Sequence, residues 1–322
     1  MREKPLISLL ADGRLHSGEW LGEQLGISRT AVWKQLNNLE ELGLDIESVR
    51  GQGYRIAGGI ELLDPVSIRQ HIAAGVRPGL GRFDILDEVA STNDWIKALQ
   101  PGQQWRGAVC LAERQTSGRG RRGRAWVSPF GRNIYLSLGW EFSGGAASLE
   151  GLSLAVGVAV CRALGGKARH PELQLKWPND ILYQGRKLGG VLVEMQGDPT
   201  GSCQIVIGVG LNHGMAGHIQ GIDQQWADAT AFSTQGRNEL AGRLISELLL
   251  MINDFGANGF RGFREEWSRY DAAVNRVVTL STVAATTEGV CRGIAENGAV
   301  LIETETGLKQ FNGGEITLRV QP

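Results

Sequence analysis

The sequence is poor in residues that build cross-links or metal centres. Four cysteines occur among 322 residues. None belongs to a C-x-x-C pair, and most stand beside apolar neighbours. This pattern predicts buried, reduced thiols and argues against a disulfide framework or a zinc-binding cysteine cluster. We therefore expect no metal site built by the protein's own side chains.

Long apolar runs and an excess of one charge are also missing. No apolar run reaches the roughly 18 residues needed to cross a bilayer, and the N-terminal stretch lacks the apolar core of a signal peptide. Basic and acidic residues number 33 and 34, which leaves a net charge of −1. The composition predicts a cytoplasmic protein with no membrane partner, and it excludes a protein that coats nucleic acid through overall charge.

The most informative segment that is present is rich in arginine and glycine. Residues 118–124 read Gly-Arg-Gly-Arg-Arg-Gly-Arg. Glycine allows positive φ angles and close approach of the backbone to a ligand. Arginine supplies a permanently charged, planar fork that matches carboxylate or phosphate. The segment, called the Arg/Gly loop below, predicts a loop that encloses a small anion and is mobile until the anion binds.

The Arg/Gly loop alone leaves three other interpretations open. Its glycines also satisfy the G-x-G-x-x-G pattern of dinucleotide-binding folds, although such a fold needs a helix to begin at the glycines. Here the chain continues into residues 133–138, which are typical of a strand. The other two interpretations are a solvated basic loop without a ligand and a nucleic-acid-binding patch.

Residues 1–62 show the pattern of a winged helix-turn-helix domain. Helices are predicted from residue 6 to 10, from 18 to 25 and from 29 to 42, with Ser28 as the N-cap of the third. Strands at 46–49 and 54–56 would form the wing. The candidate DNA-contacting residues are Ser28, Arg29, Thr30, Lys34, Arg50 and Gln52. Because acidic and basic residues nearly balance in this domain, a winged helix used for protein contacts remains an alternative.

Residues 63–271 alternate predicted strands and helices, and their hairpin-like spacing predicts a largely antiparallel sheet. Strands are predicted at 82–86, 107–113, 133–140, 173–177, 180–183, 187–196 and 204–211. Helices are predicted at 65–74, 92–99, 149–164, 237–253 and 259–270. Residues 272–322 carry short strands and an Asn-Gly turn at 297–298, which predict a small β-barrel. The predicted fold class is therefore α+β.

Four further motifs bring polar groups that could serve the same ligand as the Arg/Gly loop. Ser-Thr-Asn at 91–93 begins a helix, and Lys-Trp-Pro-Asn-Asp at 176–180 forms a turn between strands. Arg-Lys-Leu-Gly-Gly at 186–190 begins an apolar strand, and Gly-Val-Gly-Leu-Asn at 208–212 ends another. Each motif alone has an ordinary structural explanation, but their combination in this order is specific.

With the Arg/Gly loop, these motifs resemble the biotin protein ligase family. The winged helix in front is similar to the bifunctional members that also repress the biotin operon, the BirA family. The resemblance covers nearly the whole chain. It implies a winged helix-turn-helix DNA-binding domain at 1–62, a mixed α/β catalytic domain at 63–271 and an SH3-like barrel at 272–322.

The activity implied by the resemblance is that of a biotin–[acetyl-CoA-carboxylase] ligase. Biotin and ATP, with Mg²⁺, would form biotinyl-5′-adenylate and pyrophosphate. A lysine of the biotin carboxyl carrier protein would then accept the biotinyl group. The adenylate would also act as corepressor, since it would promote a homodimer that binds the biotin operator DNA. No covalent enzyme intermediate is needed, so the lack of a Ser-His or Cys-His arrangement is no obstacle.

The resemblance also assigns site residues. It implies a catalytic role for Lys187, Arg119 and Arg121. The implied biotin and adenylate site consists of Ser91, Thr92, Asn93, Gln115, Arg119, Gly120, Arg121, Trp126, Asn179, Asp180, Lys187 and Asn212. Two other functions stay open: a lipoate-type protein ligase, whose apolar acyl chain would not need these polar groups, and a metabolite-sensing transcription factor without catalysis.

Overall fold

The computed structural model describes residues 1–99, 105–142, 144–197, 201, 203–215, 222, 224–282, 285–313 and 316–321. Within these ranges the chain forms a helical N-terminal unit, a central mixed sheet with helices, and a C-terminal antiparallel unit. The predicted α+β class is therefore confirmed. Among the same residues, no helix is both long enough and apolar enough to span a membrane.

The N-terminal unit is the predicted winged helix-turn-helix. Its elements are α1 (Lys4–Leu10), α2 (Gly18–Leu25), α3 (Arg29–Glu41), β1 (Ile46–Val49) and β2 (Gly53–Ile56). Ser17 and Ser28 cap α2 and α3, because their hydroxyls accept the amide protons of Trp20 and Ala31 at 3.1 and 3.2 Å. Gly26 ends α2 with φ +64°, a conformation that favours glycine. β1 and β2 pair antiparallel as the predicted wing.

A residue from the central unit lies in the core of the winged helix. Phe130 is fully buried, and it packs with apolar residues of the N-terminal unit such as Leu21, Leu36 and Ile56. Its amide donates to the Leu42 carbonyl at 3.4 Å. The segment that follows the Arg/Gly loop is therefore anchored in the N-terminal unit.

The central unit is built on a mixed sheet. Its strands are β3 (Phe83–Leu86), β4 (Val109–Ala112), β5 (Ile134–Phe142), β6 (Leu173–Lys176), β7 (Asp180–Tyr183), β8 (Arg186–Gly197) and β9 (Cys203–Leu211). In the described part of the chain they pair in the order β3-β4-β5-β9-β8-β7-β6. β3 and β4 are parallel, while the other paired strands are antiparallel. The predicted, largely antiparallel sheet is confirmed.

Helices pack on this sheet or flank it. They are α4 (Pro65–His71), α5 (Thr92–Lys97), α6 (Leu152–Ala163), α7 (Gly166–Arg169), α8 (Arg237–Asn258) and α9 (Arg264–Tyr270). Two begin later than predicted. Gly151, at φ +74°, directly precedes α6, and a short turn at Gly259–Gly262 precedes α9. The short α7 was not predicted, and α8 continues beyond its predicted end.

The C-terminal unit is antiparallel. Its strands are β10 (Val277–Ser281), β11 (Thr286–Ile294), β12 (Val300–Thr304), β13 (Gly307–Phe311) and β14 (Thr317–Val320), paired in the order β13-β12-β11-β10-β14. The predicted Asn-Gly turn joins β11 to β12, with Gly298 at φ +82°. Val278, Ile302 and Leu318 belong to the same apolar core as the central sheet. The two units therefore share one core.

Candidate active site

A cavity of about 620 Å³ lies over the middle of the central sheet. Its floor is formed by β5, β8 and β9, and its walls by the start of α5, the Arg/Gly loop, the 176–180 turn and β14. The predicted site residues among its lining are Ser91, Thr92, Asn93, Gln115, Arg119, Gly120, Arg121, Trp126, Asn179, Asp180 and Lys187. The fold thus brings together segments that range in sequence from Ser91 to Arg319.

One wall of the cavity carries uncharged hydrogen-bonding groups. Gln115 Oε1 accepts protons from the Thr92 amide and hydroxyl at 2.9 and 3.1 Å. The fully buried Ser137 hydroxyl lies 2.7 Å from the Thr92 hydroxyl and 2.6 Å from Asn93 Oδ1. Ser91 stands at the N-cap position of α5, but its side chain makes no capping hydrogen bond in the described structure. Its hydroxyl lines the cavity beside these amides and hydroxyls.

The opposite wall is cationic. Lys187 Nζ donates to Asp180 Oδ1 at 2.5 Å, and Lys176 Nζ lies 4.0 Å from Asp180 Oδ2. Burial lowers the pKa of Lys176, against the attraction of Asp180. Asn179 holds this turn to β8, because its Nδ2 donates to the Val191 carbonyl at 2.8 Å. Two ammonium groups therefore share one carboxylate, and a bound anion would meet an excess of positive charge.

The Arg/Gly loop forms a closed lobe at the mouth of the cavity. At its base, the Trp126 amide donates to the Gly118 carbonyl and the Gly120 amide donates to the Arg124 carbonyl, both at 2.8 Å. Arg119 and Ala125 face each other in an antiparallel bridge between these bonds. No helix longer than a single turn begins at the glycines in this described segment. This geometry excludes the dinucleotide-binding interpretation.

The tip of the lobe contacts the 176–180 turn and β14. Arg121 Nη1 lies 3.5 Å from Asn179 Oδ1, and burial lowers the pKa of Arg121. Arg122 adopts φ +60° and donates to the Thr317 hydroxyl on β14 at 3.1 Å. The tip therefore bridges the cavity from the central unit to the C-terminal unit.

Arg119, at the base of the lobe, is held by carboxylates. Its two terminal nitrogens donate to the two oxygens of Asp94 at 2.6 Å each, and one of them lies 3.2 Å from Glu194 Oε1. Lys97 reaches both carboxylates, at 2.8 and 3.0 Å. Hydrogen bonding from Arg119 places the pKa of Asp94 well below its usual range. Burial would raise the pKa of Glu194, but hydrogen bonds from Asn93, Lys97 and Arg119 outweigh it and lower that pKa.

The Trp126 indole lies directly over the sheet. A Cβ placed on Gly210 would come within 2.6 Å of the indole Cε2, so only glycine leaves room for the ring. Lys187 Nζ lies 5.8 Å from the ring centroid. The indole Nε1 is buried and has no hydrogen-bond partner among the described protein groups. A buried donor of this kind is suited to a ligand acceptor.

Asn212 is the predicted site residue that lies outside the cavity lining. Its Nδ2 donates to the carbonyls of Lys187 and Ala227 at 3.2 and 3.0 Å. Its amide donates to the Leu188 carbonyl at 2.8 Å. The side chain thus holds the start of β8 next to Lys187, which is a supporting position.

Sequence reasoning missed several groups that line the cavity or support its walls from behind. Ser137 gave no signal, because it is one polar residue within an apolar strand. Lys176 lies inside a motif that was recognised, but its proximity to Asp180 could not be read from the spacing. Asp94 directly follows the Ser-Thr-Asn motif, and its position there was the available signal. Residues 316–319, which also line the cavity, are remote in sequence from every other motif.

The predicted DNA-contacting side chains lie on the open surface of the winged helix. The exposed residues of this set are Ser28, Arg29, Thr30 and Lys34 at the start of α3, and Arg50 and Gln52 at the tip of the wing. The Ser28 hydroxyl also serves as the helix cap. Trp33 on α3 is 53% exposed and was not predicted as a contact.

Three family models match this chain. The "Biotin/lipoate A/B protein ligase family" matches residues 87–212, the "HTH domain" matches 2–55, and the "Biotin protein ligase C terminal domain" matches 275–319. The three matches follow the order of the three structural units. The first of these families includes both biotin and lipoate ligases, so it does not separate those two alternatives.

Similar proteins cover nearly the whole chain. The bifunctional ligase/repressor BirA of Salmonella typhimurium is 40% identical over 98% of this chain and 96% of its own length. The Escherichia coli protein of the same name is 39% identical over the same shares. Among solved structures, a biotin protein ligase from Aquifex aeolicus in complex with biotin and ATP has a TM-score of 0.64 and 27% identity, covering 74% of this chain and 99% of that one.

Proposed function

The chain belongs to the BirA family of bifunctional ligase/repressors, and from this premise we propose that it joins biotin to a carrier-protein lysine and represses the biotin operon. Both activities would take place in the cytoplasm. The observation that carries the ligase proposal is the division of one cavity into an uncharged, hydrogen-bonding wall and a cationic wall. Biotin has the same division, because its ureido ring is neutral and its carboxylate is charged.

In the first step, a carboxylate oxygen of biotin attacks the α-phosphorus of ATP. The bond to the β-phosphate breaks, and pyrophosphate leaves with the electron pair. The main obstacle is the approach of one anion to another. Lys187 and Arg121 line the cavity on the side of the Asp180 turn, so their charges would offset this repulsion and stabilise charge on the phosphoryl oxygens.

The pairing of Lys187 with Asp180 is compatible with this role. An ammonium group has three N–H donors, and the contact with Asp180 uses one of them. The carboxylate therefore orients the ammonium group and leaves its other N–H donors available for the ligand. Trp126 would cover the adenine. Its Nε1, which has no hydrogen-bond partner among the described groups, could donate to a ring nitrogen or a phosphate oxygen.

Mg²⁺ would enter as part of the nucleotide substrate. Carboxylate oxygens are suitable ligands for this hard cation, and Asp180 is the acid in the described lining of the cavity. Since Asp180 already holds two ammonium groups, we assign it to them and leave the metal with the phosphates of ATP.

In the second step, the amine of a lysine on the biotin carboxyl carrier protein attacks the activated carbonyl. AMP leaves, and the amine gives up a proton. Without an acceptor, the adenylate would stay in the cavity under the Arg/Gly loop. We propose that this filled state favours a homodimer, which places two winged helices on a palindromic operator.

The ligase proposal is tested by measuring pyrophosphate release with biotin and ATP. We expect release that depends on both substrates, and mass spectrometry should detect biotinyl-adenylate retained by the purified protein. Calorimetric titration separates the alternatives: tight binding of lipoate with none of biotin would favour a lipoate ligase. Biotin binding without pyrophosphate release would favour a transcription factor that has lost catalysis.

The repressor proposal is tested by gel shift and sedimentation with biotin operator DNA, with and without biotin and ATP. A single winged helix offers few cations for phosphate contacts, so one copy should bind weakly. Joining two copies should raise affinity by about 10²–10⁴-fold. Equal operator affinity in the two conditions would contradict the coupling while leaving the ligase proposal intact.

A further inference from the structure

Arg119 makes a bidentate ion pair with one carboxylate and lies beside a second one. Its guanidinium donates two hydrogen bonds of 2.6 Å to the carboxylate of Asp94, and it also contacts Glu194. A guanidinium that binds one carboxylate through two parallel hydrogen bonds already uses the pair of N–H groups with which it would bind a phosphate in the same way.

The charges around Arg119 favour keeping it in place. Two carboxylates, Asp94 and Glu194, are balanced by two cations, Arg119 and Lys97. If Arg119 turned towards a bound anion, Lys97 alone would face both carboxylates. The resulting net negative charge would lie beside the anionic ligand, so the ligand would gain little from drawing Arg119 away.

The position of Arg119 in the loop also indicates that it stays in place. Arg119 pairs with Ala125 at the base of the lobe, whereas residues 121–123 form its tip. The same carboxylates reach the uncharged wall, because Glu194 Oε2 accepts a bond of 2.6 Å from Asn93 Nδ2. Asn93 Oδ1 in turn lies 2.6 Å from the Ser137 hydroxyl. One cluster therefore fixes both the base of the loop and an amide of the cavity wall.

We propose that Arg119 is a positioning residue, which Asp94 and Glu194 clamp so that the base of the Arg/Gly loop stays fixed while its tip closes on the ligand. Arg121 and Lys187 then supply the charge that meets the reacting groups. The link to adenylate formation rests on the proposed function, whereas the clamp itself is a property of the protein without ligand.

Trypsin cleavage of the unliganded protein tests the clamp directly, because the tip contains Arg121 and Arg122. We expect Arg119→Gln and Asp94→Asn each to speed cleavage at the tip by about three- to tenfold, the modest range of a partly exposed charged pair. The double variant should be no faster than the faster single variant. If Asp94→Asn does not fold, Glu194→Gln replaces it as the variant that removes a carboxylate from Arg119. Arg114→Gln is the matched control, since Arg114 forms a surface pair with Glu88 at 3.0 Å just before the loop.

The same variants form a double-mutant cycle for biotin-dependent pyrophosphate release. If Arg119 acts through the clamp, Arg119→Gln should slow release in the wild-type background but add little to Asp94→Asn. Arg119→Lys, which keeps the charge but loses the fork, should restore only part of the rate. Equal losses in both backgrounds, or unchanged cleavage of the tip, would overturn the proposal. If the wild type releases no pyrophosphate, the proposed function fails, while the cleavage experiment still tests the clamp.

Discussion

Replacing Lys187 by alanine is the most direct test of the cationic wall. The side chain is partly buried, with 15% of its area exposed, and its ammonium group contacts Asp180 at 2.5 Å. It lies at the start of β8, whose backbone is held independently by Asn212. We therefore expect Lys187→Ala to fold normally and to lose adenylate formation.

The magnitude follows from what the ammonium group contacts in each state. A charge-assisted hydrogen bond in a ground state contributes about 1.5–3 kcal/mol. Removing one preorganised donor from a centre where charge develops slows a reaction by about 10²–10³-fold. Because the substitution does not alter the uncharged wall that would bind the ureido ring, biotin should still bind. The thermal midpoint should change little, since Asp180 keeps Lys176 at 4.0 Å.

The assay is pyrophosphate release in a single turnover, with biotin affinity measured separately by calorimetry. Arg186→Ala is the matched control, because it removes a cation one residue away whose guanidinium contacts Gln184 at 3.2 Å. That control should keep wild-type turnover. Normal turnover by Lys187→Ala would remove Lys187 from the reacting centre and refute the assignment of the cationic wall.

Three other predictions follow from the same geometry. Arg121→Gly should form adenylate but release it, because the tip no longer covers the cavity; biotin blots should show more labelling of an added bystander protein, and labelling at the wild-type level would count against a lid. Folding lowers the pKa of Asp94, so its stabilising contacts are complete above the ordinary carboxyl pKa of about 4 and are lost as the pH falls below it. The difference in thermal midpoint between wild type and Asp94→Asn should accordingly shrink below about pH 4, and a difference that grows there would contradict this sign. Deleting residues 1–62 should abolish operator binding and lower the thermal midpoint of the remainder, because the deletion uncovers Phe130; an unchanged midpoint would show that this packing is unimportant.

Local sequence signals predicted most of the secondary structure. Ser28 has a side chain that caps a helix, and Gly26 has a conformation that ends one. Both effects depend on a few neighbouring residues, so the winged helix could be predicted from the sequence in detail. The strands of the central sheet were also predicted, because their apolar runs are bounded by turn residues.

Contacts between distant elements could not be predicted in this way. The pairing of Arg119 with Asp94 joins residues 25 positions apart, and nothing in either motif indicates it. A loop arginine beside a ligand site was expected to contact the ligand, but whether it does depends on which carboxylates the fold places nearby. Asn212 shows the same limit: its motif brought it close to the site, but its side chain faces the backbone of β8.

The position of Phe130 explains how one chain can join a ligand site to a DNA-binding unit. Gln115 in the uncharged wall lies 3.5 Å from the Ser128 hydroxyl, which itself bonds to the Trp126 carbonyl at 2.9 Å. Two residues further on, Phe130 lies in the core of the winged helix. Exposing a buried phenylalanine costs about 1.5–3 kcal/mol. If the winged helix moves and segment 127–131 does not, Phe130 leaves its core and this free energy is lost. If the segment moves with the winged helix, the contact is kept. Phe130 therefore gives the segment that follows the Arg/Gly loop a direct packing contact with the core of the winged helix.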